Sequence, residues 1–135
     1  MDAKIAHLEL IQAVVTRMAS NSFLLKGWSV TLVAALFALA ADKSEVLFVY
    51  LAYFPAISFW ILDGYFLHQE RLFRKLYDHV RALDLSAIDF SMDTSPLTSK
   101  VDPWSAVCFS KTLRVFHGTI IGSIIVVMLV AILGR

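Results

Sequence analysis

Three long stretches of apolar residues dominate the pattern along the chain. They cover residues 23–41, 46–67 and 115–133, so each has between 19 and 22 residues. A helix needs roughly 20 predominantly apolar residues to cross the hydrocarbon core of a bilayer. The pattern therefore predicts an all-α integral membrane protein with three transmembrane helices. The first two are separated by the short polar segment 41–45 and form a helical hairpin.

The N-terminal segment, residues 1–22, has a different pattern. Ile5, Leu8 and Val15 recur at helical spacing, with polar residues largely on the other faces, which predicts an amphipathic cytoplasmic helix. Two placements stay open: packing against the chain's own cytoplasmic helix, or lying on the lipid surface. Residues 20–22 are Ser, Asn and Ser, which are N-cap residue types, so we expect a break or bend before the first span.

The second span continues into a charged helix without a helix-breaking residue. We expect this cytoplasmic extension to run to about residue 83, with a kink at Pro55. Glu70, Arg74 and Asp78 are spaced four residues apart, which predicts ion pairs from Arg74 to both acids. So long a helix needs a partner outside the membrane, either the N-terminal helix or a neighbouring subunit.

The distribution of basic residues predicts the orientation of the spans. The 41–45 turn has one lysine, Lys43, whereas residues 68–114 have seven lysines and arginines. Because cytoplasmic loops are enriched in Lys and Arg, the N-terminus and the 68–114 region are predicted to be cytoplasmic. The turn and the C-terminus then face the periplasm. Residues 84–114 form a cytoplasmic loop and helix in this single membrane domain, 1–135.

Two charged residues interrupt the apolar spans. Lys26 lies 15 residues before Ala41, and Asp63 lies 18 residues after Glu45. At 1.5 Å per residue, the two lie about 22 and 27 Å from the turn, at similar depths. An acid inside a span needs a partner, so we predict a contact between Lys26 and Asp63 or a shared inner-leaflet site. The pair either fixes the hairpin or lines an ion path.

Composition narrows the function classes. The chain is 59% hydrophobic with a formal net charge of +1, so no strong positive field attracts nucleic acid. A single cysteine, Cys108, excludes an internal disulfide. His68, His79 and His117 are too dispersed for metal spacing, and we expect them at the interface or in solvent. No catalytic motif is found, so we expect no enzyme, no cofactor and no metal site.

Small residues at helical spacing predict close packing between copies of the chain. Gly118 and Gly122 form a GxxxG pair in the third span, and Ala34 and Ala38 have the same spacing in the first. Such pairs let helices approach closely in a bilayer. Three short spans enclose almost no interior, so we expect a homo-oligomer.

Three strings of residues carry a resemblance to known proteins. They are residues 21–28 (NSFLLKGW), 62–72 (LDGYFLHQERL) and 89–94 (DFSMDT). The chain resembles the RipA-like octameric membrane proteins, small bacterial inner-membrane proteins of unknown function associated with genes of phage-defence type. The likeness covers most of the chain, but its motifs carry no known chemistry and so add no catalytic residues. The resemblance implies a bacterial inner membrane and a homo-oligomer of eight subunits.

Two function hypotheses follow. In the first, the homo-oligomer is a pore-forming or membrane-perturbing effector that is gated from the cytoplasm. In the second, it is a membrane scaffold or adaptor whose cytoplasmic helices bind a soluble protein. A polar axial path between subunits favours the first hypothesis, and an apolar axis favours the second.

Overall fold

The computed structural model describes residues 2–134, and every regular element in that range is helical. Met1 and Arg135, the two ends of the predicted domain, lie outside the described residues. The helices are α1 (Asp2–Lys43), α2 (Leu47–Leu51), α3 (Tyr53–Arg81), α4 (Trp104–Cys108) and α5 (Lys111–Leu133). The helices α1, α2 with α3, and α5 are each long and apolar enough to cross a membrane. The predicted all-α fold with three candidate membrane-spanning helices is confirmed.

Helix α1 is one continuous helix, so the expected break at residues 20–22 is wrong. Its 42 residues extend about 63 Å at 1.5 Å per residue. Ser22 is buried and its side chain makes a tertiary hydrogen bond, so it does not cap a new helix. Residues 2–22 and the first span therefore form one helix, which extends beyond the apolar stretch.

The hairpin turn ends α1 through a left-handed residue. Ser44 has a φ of 51°, and the backbone N–H of Glu45 donates to the carbonyl of Ala40 at 3.1 Å. This bond joins the first and sixth residues of the turn. It gives a hydrogen-bond donor to a carbonyl that would otherwise have no partner at the end of the helix. The chain then reverses into α2, in agreement with the predicted turn at 41–45.

The second apolar stretch is divided at Ala52, close to the expected kink. Pro55 lacks a backbone N–H, and its ring crowds the carbonyl four residues earlier, on Leu51. The helix is interrupted at this point. The N–H of Ala52 donates to the carbonyl of Val49, only three residues earlier, at 3.2 Å. Helix α3 then continues without a break to Arg81, close to the predicted end of the extension.

Helix α3 is the centre of the fold, since it packs on α1, α4 and α5. Two apolar clusters hold these helices. The hairpin cluster lies towards the turn and consists of Val33, Val49, Ala52, Ala56, Ile120 and Ile124. The extension cluster lies at the other end and consists of Ile11, Val15, Leu76, Val80 and Leu97. The extension cluster answers one open question: the N-terminal half of α1 packs on the chain's own extension.

The segment between α3 and α4 folds back onto the start of α1. It contains two short 3₁₀ turns, Leu85–Ala87 and Ser95–Lys100, the second of which contributes Leu97 to the extension cluster. Lys4 Nζ donates to the carbonyl of Leu83 at 2.9 Å. Helix α5 then begins at Lys111, four residues before the predicted start of the third span.

Candidate functional site

A buried carboxylate joins the three long helices. Asp63 lies on α3 and has an exposed fraction of 0%. Its oxygen Oδ2 lies 2.6 Å from Lys26 Nζ on α1 and 2.7 Å from His117 Nε2 on α5. Its other oxygen, Oδ1, accepts a hydrogen bond from Ser22 Oγ on α1. We call these four residues, Ser22, Lys26, Asp63 and His117, the Asp63 cluster.

The structure brings together Lys26 and Asp63, the two residues predicted to meet. Lys26 Nζ also donates to Ser22 Oγ at 2.8 Å, so the ammonium and the hydroxyl form a short network with the carboxylate. Ser22 and Lys26 are four residues apart, and this spacing places both on the same face of α1. A buried charge is tolerated when it is paired and hydrogen-bonded, and both conditions hold for Asp63.

His117 is the third partner, and its surroundings differ from the interface or solvent position that the sequence suggested. It has an exposed fraction of 1%. A carboxylate oxygen only accepts, so we assign the proton on His117 to Nε2. In the neutral ring Nδ1 is then an acceptor, and it is buried with no hydrogen-bond partner among residues 2–134. The cluster thus joins α1, α3 and α5 through one carboxylate.

Aromatic rings pack against the cluster. The Trp60 ring stacks on His117 with centroids 5.7 Å apart and planes at 12°. Phe116 meets His117 edge-on at 5.1 Å, and Lys26 Nζ lies 5.9 Å from the centroid of the Phe116 ring. These contacts fix the imidazole plane, and the cation–π contact adds a further favourable interaction for the ammonium.

Gly64, next to the cluster, explains how α4 comes close to α3. A Cβ at this position would overlap Cys108 Sγ and would lie 3.3 Å from the Cys108 Cα. Nearby, Trp60 Nε1 donates to the carbonyl of Cys108 at 2.7 Å. The absence of a side chain at Gly64 therefore allows α4 to cover this side of the site.

The predicted small-residue pairs are not used within the protomer. Ala34 and Ala38 are exposed on α1. A Cβ placed on Gly118 or Gly122 would meet nothing within 4 Å. Both pairs therefore lie on faces that the described part of the chain leaves uncovered.

The ion pairs of the extension agree with the prediction in part. Arg74 Nη2 lies 2.9 Å from Glu70 Oε1, as the spacing indicated. The predicted Arg74–Asp78 pair is wrong: the ion-pair partner of Asp78 among residues 2–134 is Arg81, at 3.7 Å. Arg74 has one guanidinium to share, and it is directed back one turn towards Glu70.

Ser22 and His117 are the members of the cluster that sequence reasoning missed. A signal for each was present: Ser22 is one helical turn before Lys26, and His117 follows the start of the third apolar helix by six residues, near the level of Lys26 and Asp63. Histidine spacing along the chain was the wrong test, because the partners of His117 come from other helices. No group of three or more His, Cys, Asp or Glu within residues 2–134 is arranged to hold a metal ion.

Comparisons with protein-family models, curated proteins and solved structures gave no match to this chain. The resemblance to RipA-like octameric membrane proteins therefore has no support from them.

Proposed function

We propose that the chain is a homo-oligomeric, multi-pass protein of a bacterial inner membrane. In this proposal the N-terminus and residues 68–114 are cytoplasmic, and the 41–45 turn and the C-terminus are periplasmic. Three helices of sufficient length and apolarity support the multi-pass placement. The excess of lysine and arginine in residues 68–114 supports the orientation.

The main support for a homo-oligomer is the uncovered face of α5 that contains Gly118 and Gly122, the glycine face. Gly118 and Gly122 have open space where a side chain would be, and Ala34 and Ala38 offer a second small-residue face on α1. Only 11% of the most apolar 18-residue window of α1, and 11% of that of α5, is buried within the protomer. Close packing of small residues is a main source of helix association in bilayers, so these faces suit contact between copies.

The proposed activity is that of a pore-forming or membrane-perturbing effector gated from the cytoplasm. Three spans from one chain enclose almost no interior, so a path for ions has to lie between subunits. Helix α1 is continuous from the extension cluster to the hairpin turn, so a displacement of its N-terminal half reaches the membrane segment. The proposal includes eight subunits per assembly. The mass of the assembly tests this number directly.

Reconstitution tests the oligomer and its activity together. The full chain in liposomes is expected to release a trapped ion or dye, and native mass spectrometry is expected to give a defined multiple of the chain. Gly122→Leu should break the assembly and the release together, because a leucine separates the packed backbones. Val130→Leu, at an exposed position two turns further along α5, is the matched control and should change neither. An intact assembly of Gly122→Leu would contradict the glycine interface.

A scaffold is the second candidate, and apolar side chains on the cytoplasmic part favour it. Leu10, Leu85 and Phe90 are all exposed, and Phe90 adopts a left-handed φ of 57°, which is unusual for a bulky residue. This surface suits a soluble partner. A stable oligomer that releases nothing from liposomes at any pH or ionic strength, and that binds one protein stoichiometrically through this surface, would replace the pore with the scaffold.

A further inference from the structure

A groove lies between α1 and α5. It has a volume of about 520 Å³, and its walls are Val30 on α1 and Val115, Phe116 and Ile120 on α5. The two helices make few contacts with each other, since each packs mainly on α3. Because the groove opens outward between two candidate spanning helices, it is open to lipid in a membrane.

One end of the groove is polar and positively charged. Lys111 and Thr112, in the first turn of α5, line this end, and both are exposed. The lining contains no acidic residue, and the first turn of α5 contains none either. Lys111 takes part in none of the ion pairs found among residues 2–134. The Lys111 ammonium is therefore available to an anionic group.

The apolar part of the groove continues away from this charge along the helix. From Lys111 to Ile120 the helix rises about 14 Å at 1.5 Å per residue. The one polar residue that lines this stretch, Thr119, donates its hydroxyl to the carbonyl of Val115 at 2.6 Å. Largely apolar walls of that length below a cation and a hydroxyl are complementary to an acyl chain below a phosphate. An ammonium and a hydroxyl both donate hydrogen bonds that phosphate oxygens accept.

The groove and the glycine face of α5 are adjacent surfaces. Successive residues of an α-helix are rotated by about 100°, so Phe116 lies about 120° around α5 from Gly122, whereas Val115 lies only about 20° from it and Lys111 about 20° from Gly118. A second copy that packs on Gly118 and Gly122 therefore borders the groove on its Lys111 and Val115 side. The single positive end and apolar walls of the groove suit a lipid better than a second copy of α5, whose own first turn carries the same lysine.

We propose that this groove binds one anionic phospholipid per chain, with the phosphate at Lys111 and Thr112 and an acyl chain along Val115 and Ile120. The site rests on the proposed insertion in a membrane and does not require a pore. Anionic lipids gain about 1 kcal/mol per basic residue near the membrane surface, which corresponds to about a fivefold preference for one lysine.

Native mass spectrometry of the full chain from mixed micelles tests the site. One sample contains phosphatidylglycerol and a second contains phosphatidylcholine with the same acyl chains. We expect one phosphatidylglycerol per chain, retained about fivefold more strongly than phosphatidylcholine. Lys111→Gln should abolish the preference, and Val115→Trp, which fills the groove and keeps the charge, should reduce retention of both lipids.

The control variant is Lys43→Gln, which removes an exposed lysine from the far end of α1. It should retain phosphatidylglycerol as the wild type does. Equal retention of the two lipids by the wild type, or an equal loss in Lys43→Gln and Lys111→Gln, would overturn the site. Displacement of the lipid by millimolar inorganic phosphate would also overturn it, because the acyl chain would then contribute nothing. Circular dichroism of Lys111→Gln and Val115→Trp verifies that both variants fold.

Discussion

Helices α1 and α3 are joined in two regions by opposite chemistry. In the extension, Ile11 and Val15 of α1 pack on Leu76 and Val80 of α3, and the contact is entirely apolar. Nearer the hairpin, the same two helices meet through Lys26 and a fully buried Asp63. The chain changes from an apolar to an ionic contact within a single pair of continuous helices, and apolar packing returns in the hairpin cluster, which contains Val33 of α1 and Ala56 of α3.

In the proposed membrane placement, the change follows the solvent around each region. In water, burial of aliphatic side chains drives association at about 25 cal/mol per Å². In a bilayer, lipid tails are as apolar as the side chains, so apolar burial gives little driving force, and hydrogen bonds and close packing decide which helices meet. Under this proposal the Asp63 cluster is the membrane counterpart of the extension cluster. The comparison predicts that each region responds to a different kind of substitution.

The largest effect is expected from Lys26→Met, which leaves the buried Asp63 without its cation. Loss of one partner of a buried ion pair costs about 3–5 kcal/mol, because the other charge stays desolvated. The free energy of unfolding in a denaturing-detergent titration measures it. Lys43→Met, at the exposed end of the same helix, is the control and should be near neutral. The double variant Lys26→Met with Asp63→Asn should recover much of the lost free energy of unfolding. Equal losses in Lys26→Met and in the double variant would contradict the pairing.

Leu76→Ala tests the apolar region. A cavity at this buried position is expected to destabilise the extension by about 2–5 kcal/mol. Hydrogen exchange should then accelerate in the N-terminal half of α1 while residues after Lys26 keep their protection. Leu10→Ala, at a half-exposed position on α1, is the matched control and should alter exchange little. A uniform increase along all of α1 would show that the two regions are not separate.

His117→Phe removes the third partner of the carboxylate and keeps an aromatic ring. The lost hydrogen bond to a charged group is expected to cost about 1.5–3 kcal/mol in the detergent titration. The cost is smaller than for Lys26→Met because Lys26 and Ser22 still contact Asp63. His79→Phe, at an exposed position of the extension, should have little effect. A larger loss for His117→Phe than for Lys26→Met would reverse the roles of the two partners.

Gly64→Ala tests the close approach of α4 beside the cluster. The added methyl group overlaps Cys108 Sγ, and overpacking of this kind costs about 1–3 kcal/mol. Cys108→Ala in the same chain should relieve part of the cost. Gly27→Ala is the matched control, because its Cβ meets nothing within 4 Å, and it should be neutral or slightly stabilising. Equal effects at Gly64 and Gly27 would contradict the tight contact.

The sequence predicted the helices of this fold better than the breaks in them and the contacts between them. Apolar run length predicted the three long helices, and equal depth from the turn predicted the contact of Lys26 with Asp63. The expected break at residues 20–22 was wrong because capping residue types indicate a helix start only where the preceding residues are not helical. His117 was misjudged because its partners come from two other helices, and contacts between helices depend on rotation about the helix axis, which spacing along the chain does not give.

The smallest expected effect concerns a carboxylate in the opposite environment to Asp63. Asp93 is exposed, and hydrogen bonds from the side chain and backbone of Ser95 lower the pKa of Asp93. Because the pKa is lowered, these bonds stabilise the fold at pH values above the ordinary Asp pKa of about 4. This contribution is lost as the pH falls through the lowered pKa.

The variant Ser95→Ala removes the hydroxyl, so the pKa of Asp93 should rise towards the ordinary value. The hydrogen bond from the backbone of residue 95 remains and keeps part of the shift. A carboxyl carbon NMR titration measures this change, with Ser86→Ala, exposed on the same segment, as the control. An unchanged pKa of Asp93 in Ser95→Ala would show that the backbone bond alone is responsible.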